Sequence, residues 1–363
     1  SFKPYVVVCA VDRTWCADIT NDQQTVYFRS LLDGTNLSPG DSGFLSLIDV
    51  FPNGDDVIGL AAHNGFLIIF GKRNIAVYAN PIDVTKLQLA DLITDIGCIA
   101  RDSIVTTGTD VMFLSETGVR SIARVIQEKS APINDISFNV RDDLISFVAS
   151  ETNKEKIKAA YYPKDAFYIL TLPTSKYVYC FDLRARLQNG AARATVWYSI
   201  EPTALHVTYS GELFVGQKGY IGKYFGFLYD TATYRLRYYT NYFDLGSPTT
   251  MKFLKKGNFV VVGGVGQDVA LKYGFDYVNS YRSITKQLRT GSVYEYNIGE
   301  YAIFEYYSGL LLEEVHSKVG GSGCIMQLGV EADINQNPVS IQKIEIYVKA
   351  GKTVKGLLAL IIE

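Results

Sequence analysis

The feature that most constrains this chain is a short pattern that recurs along it. Residues 66–80, FLIIFGKRNIAVYAN, hold five apolar residues in a row from Phe66, a polar turn at 71–74, and a return arm carrying Ile75, Val77 and Tyr78. Two apolar arms rich in β-branched and aromatic residues around a Gly-containing turn specify a β-hairpin. Residues 111–124 repeat it as VMFL, SETG and VRSIAR, residues 167–184 as FYILTL, PTS and KYVYCFDLR, and residues 213–225 as LFVG, QKG and YIGKYF. From Phe66 through Val111, Phe167 and Leu213 to the apolar run at Phe259, the steps are 45, 56, 46 and 46 residues. That is close to the period of one propeller blade.

Residues 57–62, 99–106 and 156–162 place a further strand ahead of three of these hairpins, as a blade requires. At the start of the chain, residues 5–10 and 25–28 make a first pair of arms, and the Gly-, Asp-, Ser- and Pro-rich stretch 31–55 reads as a long surface excursion. Composition agrees: 26 Tyr, 19 Phe and 31 Gly suit many short strands joined by tight turns. One short helix is predicted at 142–150, DDLISFVAS.

Around Tyr239 the texture changes. Strands are still predicted at 239–245, 251–254, 259–262, 269–275, 301–307, 324–331 and 341–348, but the lead-in pattern ends and long charged or glycine-rich connections appear. The expected architecture is therefore all-β: a β-propeller of about five to six blades over residues 1–240, with an appended β-sandwich-like platform domain over 241–363. The step to Phe259 is then a coincidence of spacing.

Lys and Arg number 35 against 37 Asp and Glu, a formal net charge of -2. A protein that grips nucleic acid through many phosphates carries a basic excess, and none is present overall. A passage for DNA is still compatible, because the wall of a conduit must not hold its cargo.

The five cysteines, Cys9, Cys16, Cys98, Cys180 and Cys324, are odd in number and contain no C-x-x-C pair, so they predict buried thiols in a chain folded in a reducing cytosol. The longest apolar runs, 5–11 and 356–362, are too short for a membrane span, and no signal peptide is visible. Ser1 in place of Met suggests that an N-terminal segment was removed or left out of the numbering.

Six segments taken in order carry a resemblance to a known family. TVYFRSLLDGTN (25–36), DDVIGLAAHNGFLIIFGKRNIAVY (55–78), GTDVMFLSETGVRSI (108–122), ELFVGQKGYIGKY (212–224), YFDLGSPTTMKFLKK (242–256) and IQKIEIYVKAGK (341–352) together resemble the tail tube, or nozzle, proteins of short-tailed bacteriophages and the related packaged-DNA stabilisation proteins. The resemblance implies a virion structural protein of the viral tail, folded in the host cytoplasm. It would form a homo-hexameric ring beneath the portal and its adaptor, or head-tail connector. Its central channel, with facing positions acidic or neutral more often than basic so that phosphates are not retained, would let double-stranded DNA pass non-specifically during ejection, and its flank would dock tail fibre or spike proteins.

Local patterns that hint at chemistry do not assemble into a catalytic constellation. GDSG at 40–43 and AAH at 61–63 evoke a serine protease, but the serine precedes the histidine and Phe44 follows the motif, so a turn is the expected reading. His63, His206 and His316 are isolated from Cys or paired acids. Gly263, Gly264 and Gly266 follow a strand but lack both the third glycine and the P-loop lysine, which predicts a bend between strands. The Ser-x-Asp-x-Gly-x-Thr-Trp repeat of sialidase blades is absent, and Trp15 and Trp197 offer little for sugar stacking. No catalytic residue, cofactor or metal is expected, and the alternative kept open is a propeller that binds or degrades surface glycan.

A closed ring needs a heterologous, head-to-tail contact of large apolar area. The residues expected to supply it are Tyr238, Tyr239, Tyr242 and Phe243 with Tyr301, Phe304, Tyr306 and Tyr307 of the aromatic strand. The same residues would also serve as the core of the second domain.

Overall fold

The computed structural model describes residues 3–35, 41–128, 135–198, 200–264, 266–278, 280–288 and 312–353. It divides into two units, Ser1–Tyr224 and Phe225–Glu363.

The first unit is a succession of five antiparallel sheets, each a meander in chain order. Sheet 1 holds β1 (Pro4–Ala10), β2 (Arg13–Ile19), β3 (Thr25–Phe28) and β4 (Gly43–Ser46); sheet 2 holds β5 (Val57–His63), β6 (Phe66–Gly71), β7 (Asn74–Ala79) and β8 (Gln88–Thr94). Sheet 3 has three strands, β9 (Val105–Thr106), β10 (Val111–Ser115) and β11 (Gly118–Ser121), followed by helices α1 (Ile122–Glu128) and α2 (Arg141–Ser150). Sheet 4 is β12 (Lys158–Tyr162), β13 (Phe167–Leu172), β14 (Tyr177–Arg186) and β15 (Ala192–Trp197), and sheet 5 is β16 (Ala204–Val207), β17 (Leu213–Gln217) and β18 (Tyr220–Lys223). The two helices occupy the extra residues that make the step from Val111 to Phe167 longer than the others.

The first strands of successive sheets lie against one another, β1 on β5, β5 on β9, β9 on β12 and β12 on β16. Sheets so aligned pack face to face, and the side-chain period of two sends alternate residues of one strand into different cores. Leu67 and Ile69 enter the cluster shared by sheets 1 and 2, while Ile68 and Phe70 enter the one shared by sheets 2 and 3. Tyr168 and Leu170 likewise face sheet 3 while Ile169 faces sheet 5. This is why the hairpin arms read as unbroken apolar runs: both faces of the sheet are buried. The fold is a β-propeller with five described blades.

Carboxylates fasten the hairpin turns. Asp55, just ahead of sheet 2, accepts from the backbone N–H of Lys72 (3.0 Å) and Arg73 (2.8 Å) and from Asn74 Nδ2 (2.9 Å). Glu151, just ahead of sheet 4, does the same for the N–H groups of Thr174 (3.0 Å) and Ser175 (2.9 Å). Helix α2 starts with Asp142 and Asp143 in its first turn, favourable beside the helix dipole, and turns Leu144 and Val148 into the core between sheets 3 and 4.

The second unit is a β-sandwich. One sheet runs β19 (Tyr234–Tyr239), β24 (Met326–Ile334), β21 (Asp268–Phe275), β22 (Arg282–Gln287); the other places β20 (Thr250–Gly263) between β23 (Leu312–Gly323) and β25 (Val339–Thr353). Phe259 and Val261 of β20 meet Leu271 of β21 and Val330 of β24 in a single core. Phe259 thus belongs to the sandwich, and β19, which lies before residue 240, pairs wholly with β24. At the crossing from β20 to β21, Gly263, Gly264 and Gly266 take positive φ values of 85°, 69° and 72°, a backbone that β-carbons oppose.

Two local expectations change. Residues 122–124, read as the end of a strand, begin α1, whose Ile122 and Val125 share one core while Asp110 accepts the Ala123 N–H at 3.0 Å. Residues 99–106 are mainly a 3₁₀ turn at Arg101–Ser103, leaving only Val105–Thr106 as strand.

Candidate functional site

A cluster of charged and aromatic groups in the second unit lies on the face of the β19–β24–β21–β22 sheet turned away from the core. On β19, the alternation of YRLRYY sends Tyr234 and Leu236 inward and leaves Arg235, Arg237 and Tyr239 on the outer face. Register then places Arg237 opposite Glu331 and Arg235 opposite Asp333, with Ala270 on the other side of Glu331.

Glu331 is the hub. It accepts from Arg235 Nη2 and from the Tyr239 hydroxyl, both at 2.7 Å, and Lys272 Nζ stands 3.6 Å away. The hydrogen bond from Arg235, followed by that from Tyr239, pulls its carboxyl from the ordinary range down to about 2. Burial, and then the hydrogen bond to ionised Glu331, pushes the Tyr239 phenol up to about 12.

Next to this network is a tyrosine cluster. Tyr239 packs edge-on against Tyr281 (centroids 5.2 Å apart), Tyr242 lies on Tyr277 (4.3 Å), and the Tyr242 and Tyr281 hydroxyls meet at 3.4 Å. Tyr281 also donates to Gln327 Oε1. Glycines make room for the rings: a β-carbon on Gly329 would run into Tyr239, and one on Gly274 would touch Tyr281 at 3.0 Å.

The expected contact residues are divided by this arrangement. Tyr239 and Tyr242 belong to the cluster, Phe243 packs against the sandwich core and pairs through its backbone with Met326, and Tyr238 at the end of β19 is 52% exposed. Tyr301, Phe304, Tyr306 and Tyr307 lie outside the described residues. Glu331, Arg235 and Lys272 were not singled out from sequence, although the alternating charges of YRLRYY and GVEAD point to one exposed face.

In the first unit, the outward faces of the terminal sheets carry apolar side chains. Val7, Cys16, Tyr27 and Phe44 form one cross-strand row over the four strands of sheet 1, with Val7 54% and Phe44 66% exposed. On sheet 5, Ile221 is 77% exposed.

One residue of the GDSG segment has a structural contact. Asp41 of GDSG takes the guanidinium of buried Arg13 at 2.5 Å and the Leu31 N–H at 2.8 Å, so its carboxylate clasps a loop to sheet 1. Of the cysteines, Cys16, Cys98 and Cys180 are buried and Cys9 is exposed; Cys9 pairs with Thr14 across the β1–β2 hairpin and Cys16 with Val7, so the two thiols are out of register for a disulfide. Among the described residues no three His, Cys, Asp or Glu side chains are grouped to hold a metal, and no helix is long and apolar enough to cross a membrane.

No protein-family model and no curated protein sequence matches the chain. Among solved structures it is similar to PorZ, a surface component of the type-IX secretion system of Porphyromonas gingivalis (12% identity over 61% of this chain and 28% of that one, TM-score 0.34). It is similar also to the AfRom2 CNH domain (13%, covering 61% and 65%, TM-score 0.32) and to Kluyveromyces lactis Hsv2 (11%, covering 53% and 60%, TM-score 0.31). The chain spans under two-thirds of each of these structures.

Proposed function

We propose that this chain is a structural subunit of a virus tail, a nozzle or tube component that closes into a homo-hexameric ring around a DNA channel and works without catalytic turnover. The observation that carries this reading is how the family-like segments map onto strands. Four of them fall on sheets 1, 2, 3 and 5 of the propeller. The last two, 242–256 and 341–352, are about a hundred residues apart in sequence, yet the strands they contain, β20 and β25, are paired neighbours in one sheet. A likeness that spans both units in chain order favours a whole-chain relationship over a chance match of hairpins.

The exposed Val7 and Phe44 of sheet 1 and Ile221 of sheet 5 support it too. Unlike apolar patches on one chain suit a head-to-tail contact, which closes into a ring where the rotation between copies permits it and otherwise runs on as a filament. Docking to a portal adaptor and to fibres or spikes, and residence in the virion tail, follow from the same reading.

Light scattering coupled to size exclusion, with negative-stain images of the peak, tests the proposal. Hexamers with a central hole uphold it. Monomers or trimers that cleave bacterial surface glycan overturn it in favour of a glycan-degrading propeller.

A further inference from the structure

The second face of interest is the outer side of the β23–β20–β25 sheet. Register and alternation put Phe253, Lys256, Asn258 and Val260 of β20 on this side, opposite the core-facing Leu254, Phe259 and Val261. Lys318, His316 and Glu314 join them from β23, and Lys343, Glu345, Tyr347 and Lys349 from β25. Lys255, at the bulge in β20, folds over the Phe253 ring at 5.7 Å, and Lys256 over Tyr347 at 5.4 Å.

Among the described residues, five lysines therefore share a face with two glutamates, in a chain whose formal net charge is -2. One glutamate, Glu345, is paired with Lys343. Lys343 and Lys349 stand six positions apart on one strand, about 20 Å, a distance over which a duplex strand presents about six phosphates.

We infer that this face is a contact surface for the phosphate backbone of double-stranded DNA. Basic side chains on three neighbouring strands suit sequence-independent contact with phosphates. The two glutamates hold the net excess to about three charges, so the grip is salt-labile and permits sliding. The choice of DNA among polyanions rests on the conduit reading, and this face departs from the acidic or neutral wall expected of a conduit; the basic face itself stands on the strand register alone.

The test is fluorescence anisotropy of a labelled short duplex, titrated with the full chain between about 50 and 200 mM salt. Binding should weaken with a log–log slope of about -3 per chain, and Lys318→Gln should reduce that slope by about 1. Lys318→Glu with Lys349→Glu should weaken binding at least tenfold, while the same charge change at Lys86 and Lys176 in the first unit should leave it unaltered. Thermal unfolding confirms that each variant is folded. Equal loss from both pairs, no loss from either, or capture of polyglutamate in preference to the duplex overturns the inference. Ring formation is scored separately on the same samples. DNA binding through these lysines without a ring upholds the contact surface and defeats the conduit, and a ring whose DNA binding ignores them does the reverse.

Discussion

Glu331 accepts the Tyr239 hydroxyl at 2.7 Å across a strand pair formed by segments more than ninety residues apart. The Glu331 carboxyl is held at about 2, below its ordinary value, so it contributes stability that is complete above the ordinary carboxylate range and is lost as pH falls toward 2. The Tyr239 phenol is held at about 12, above its ordinary value of 10, so its contribution is lost as pH rises from 10 toward 12. The sandwich should therefore be most stable between these limits. Glu331→Gln removes the charge that Arg235 and Lys272 face and should cost about 1–3 kcal/mol at neutral pH. It should also flatten the acid limb of a stability–pH curve followed by far-UV circular dichroism.

The two turn clasps of the propeller should behave alike. Asp55→Ala leaves two backbone N–H groups and the Asn74 amide without their acceptor, and Glu151→Ala leaves two N–H groups. Each should cost about 2–3 kcal/mol, with Asp55→Asn intermediate. Both tryptophans, Trp15 and Trp197, lie in the first unit, so urea unfolding followed by tryptophan emission reports on that unit alone.

Neighbouring residues on β6 should prove equally costly to truncate although they face different cores. Ile68 and Ile69 are 1% and 0% exposed in separate clusters, and replacement of either by Ala should cost about 2–5 kcal/mol. Ile221→Ala on the outward face of sheet 5 should change the stability of the isolated chain by less than about 0.5 kcal/mol. Chemical denaturation of the three variants checks the contrast.

How much could be read in the sequence follows from the same burial. Strands such as FLIIF and FYILTL announce themselves because both faces are buried. The outer strands β4 (GFLS), β8 (QLADLIT) and β15 (ARATVW) are partly or largely exposed, so polar residues interrupt them and neither periodicity nor an apolar run marks them. Residues 122–124 read as strand because Ser121, the one cap-type residue in VRSIAR, lies inside a run that continues the β-hairpin arm, and its hydroxyl is turned to Asp110. β19 was placed with the propeller because its partner β24 lies far along the chain, and non-local pairing leaves no local trace. Aromatic density located Tyr239 and Tyr242; the carboxylate that organises them, Glu331, comes from that same distant strand.

Gly329 offers the sharpest test of the cluster. Its backbone is not in the left-handed region, so an alanine there meets no dihedral penalty, and the obstacle is the Tyr239 ring lying where the methyl would go. Gly329→Ala must displace that ring, which pulls the hydroxyl off Glu331 and disturbs the contact with Tyr281. The cost should be about 1–3 kcal/mol, confined to the sandwich, with the tryptophan-monitored transition of the propeller unmoved. If the ring is the cause, Gly329→Ala should add little on a Tyr239→Ser background, because the space is already vacated. A double-mutant cycle in which the two costs simply add would place the penalty in the β24 backbone and remove Tyr239 from the account.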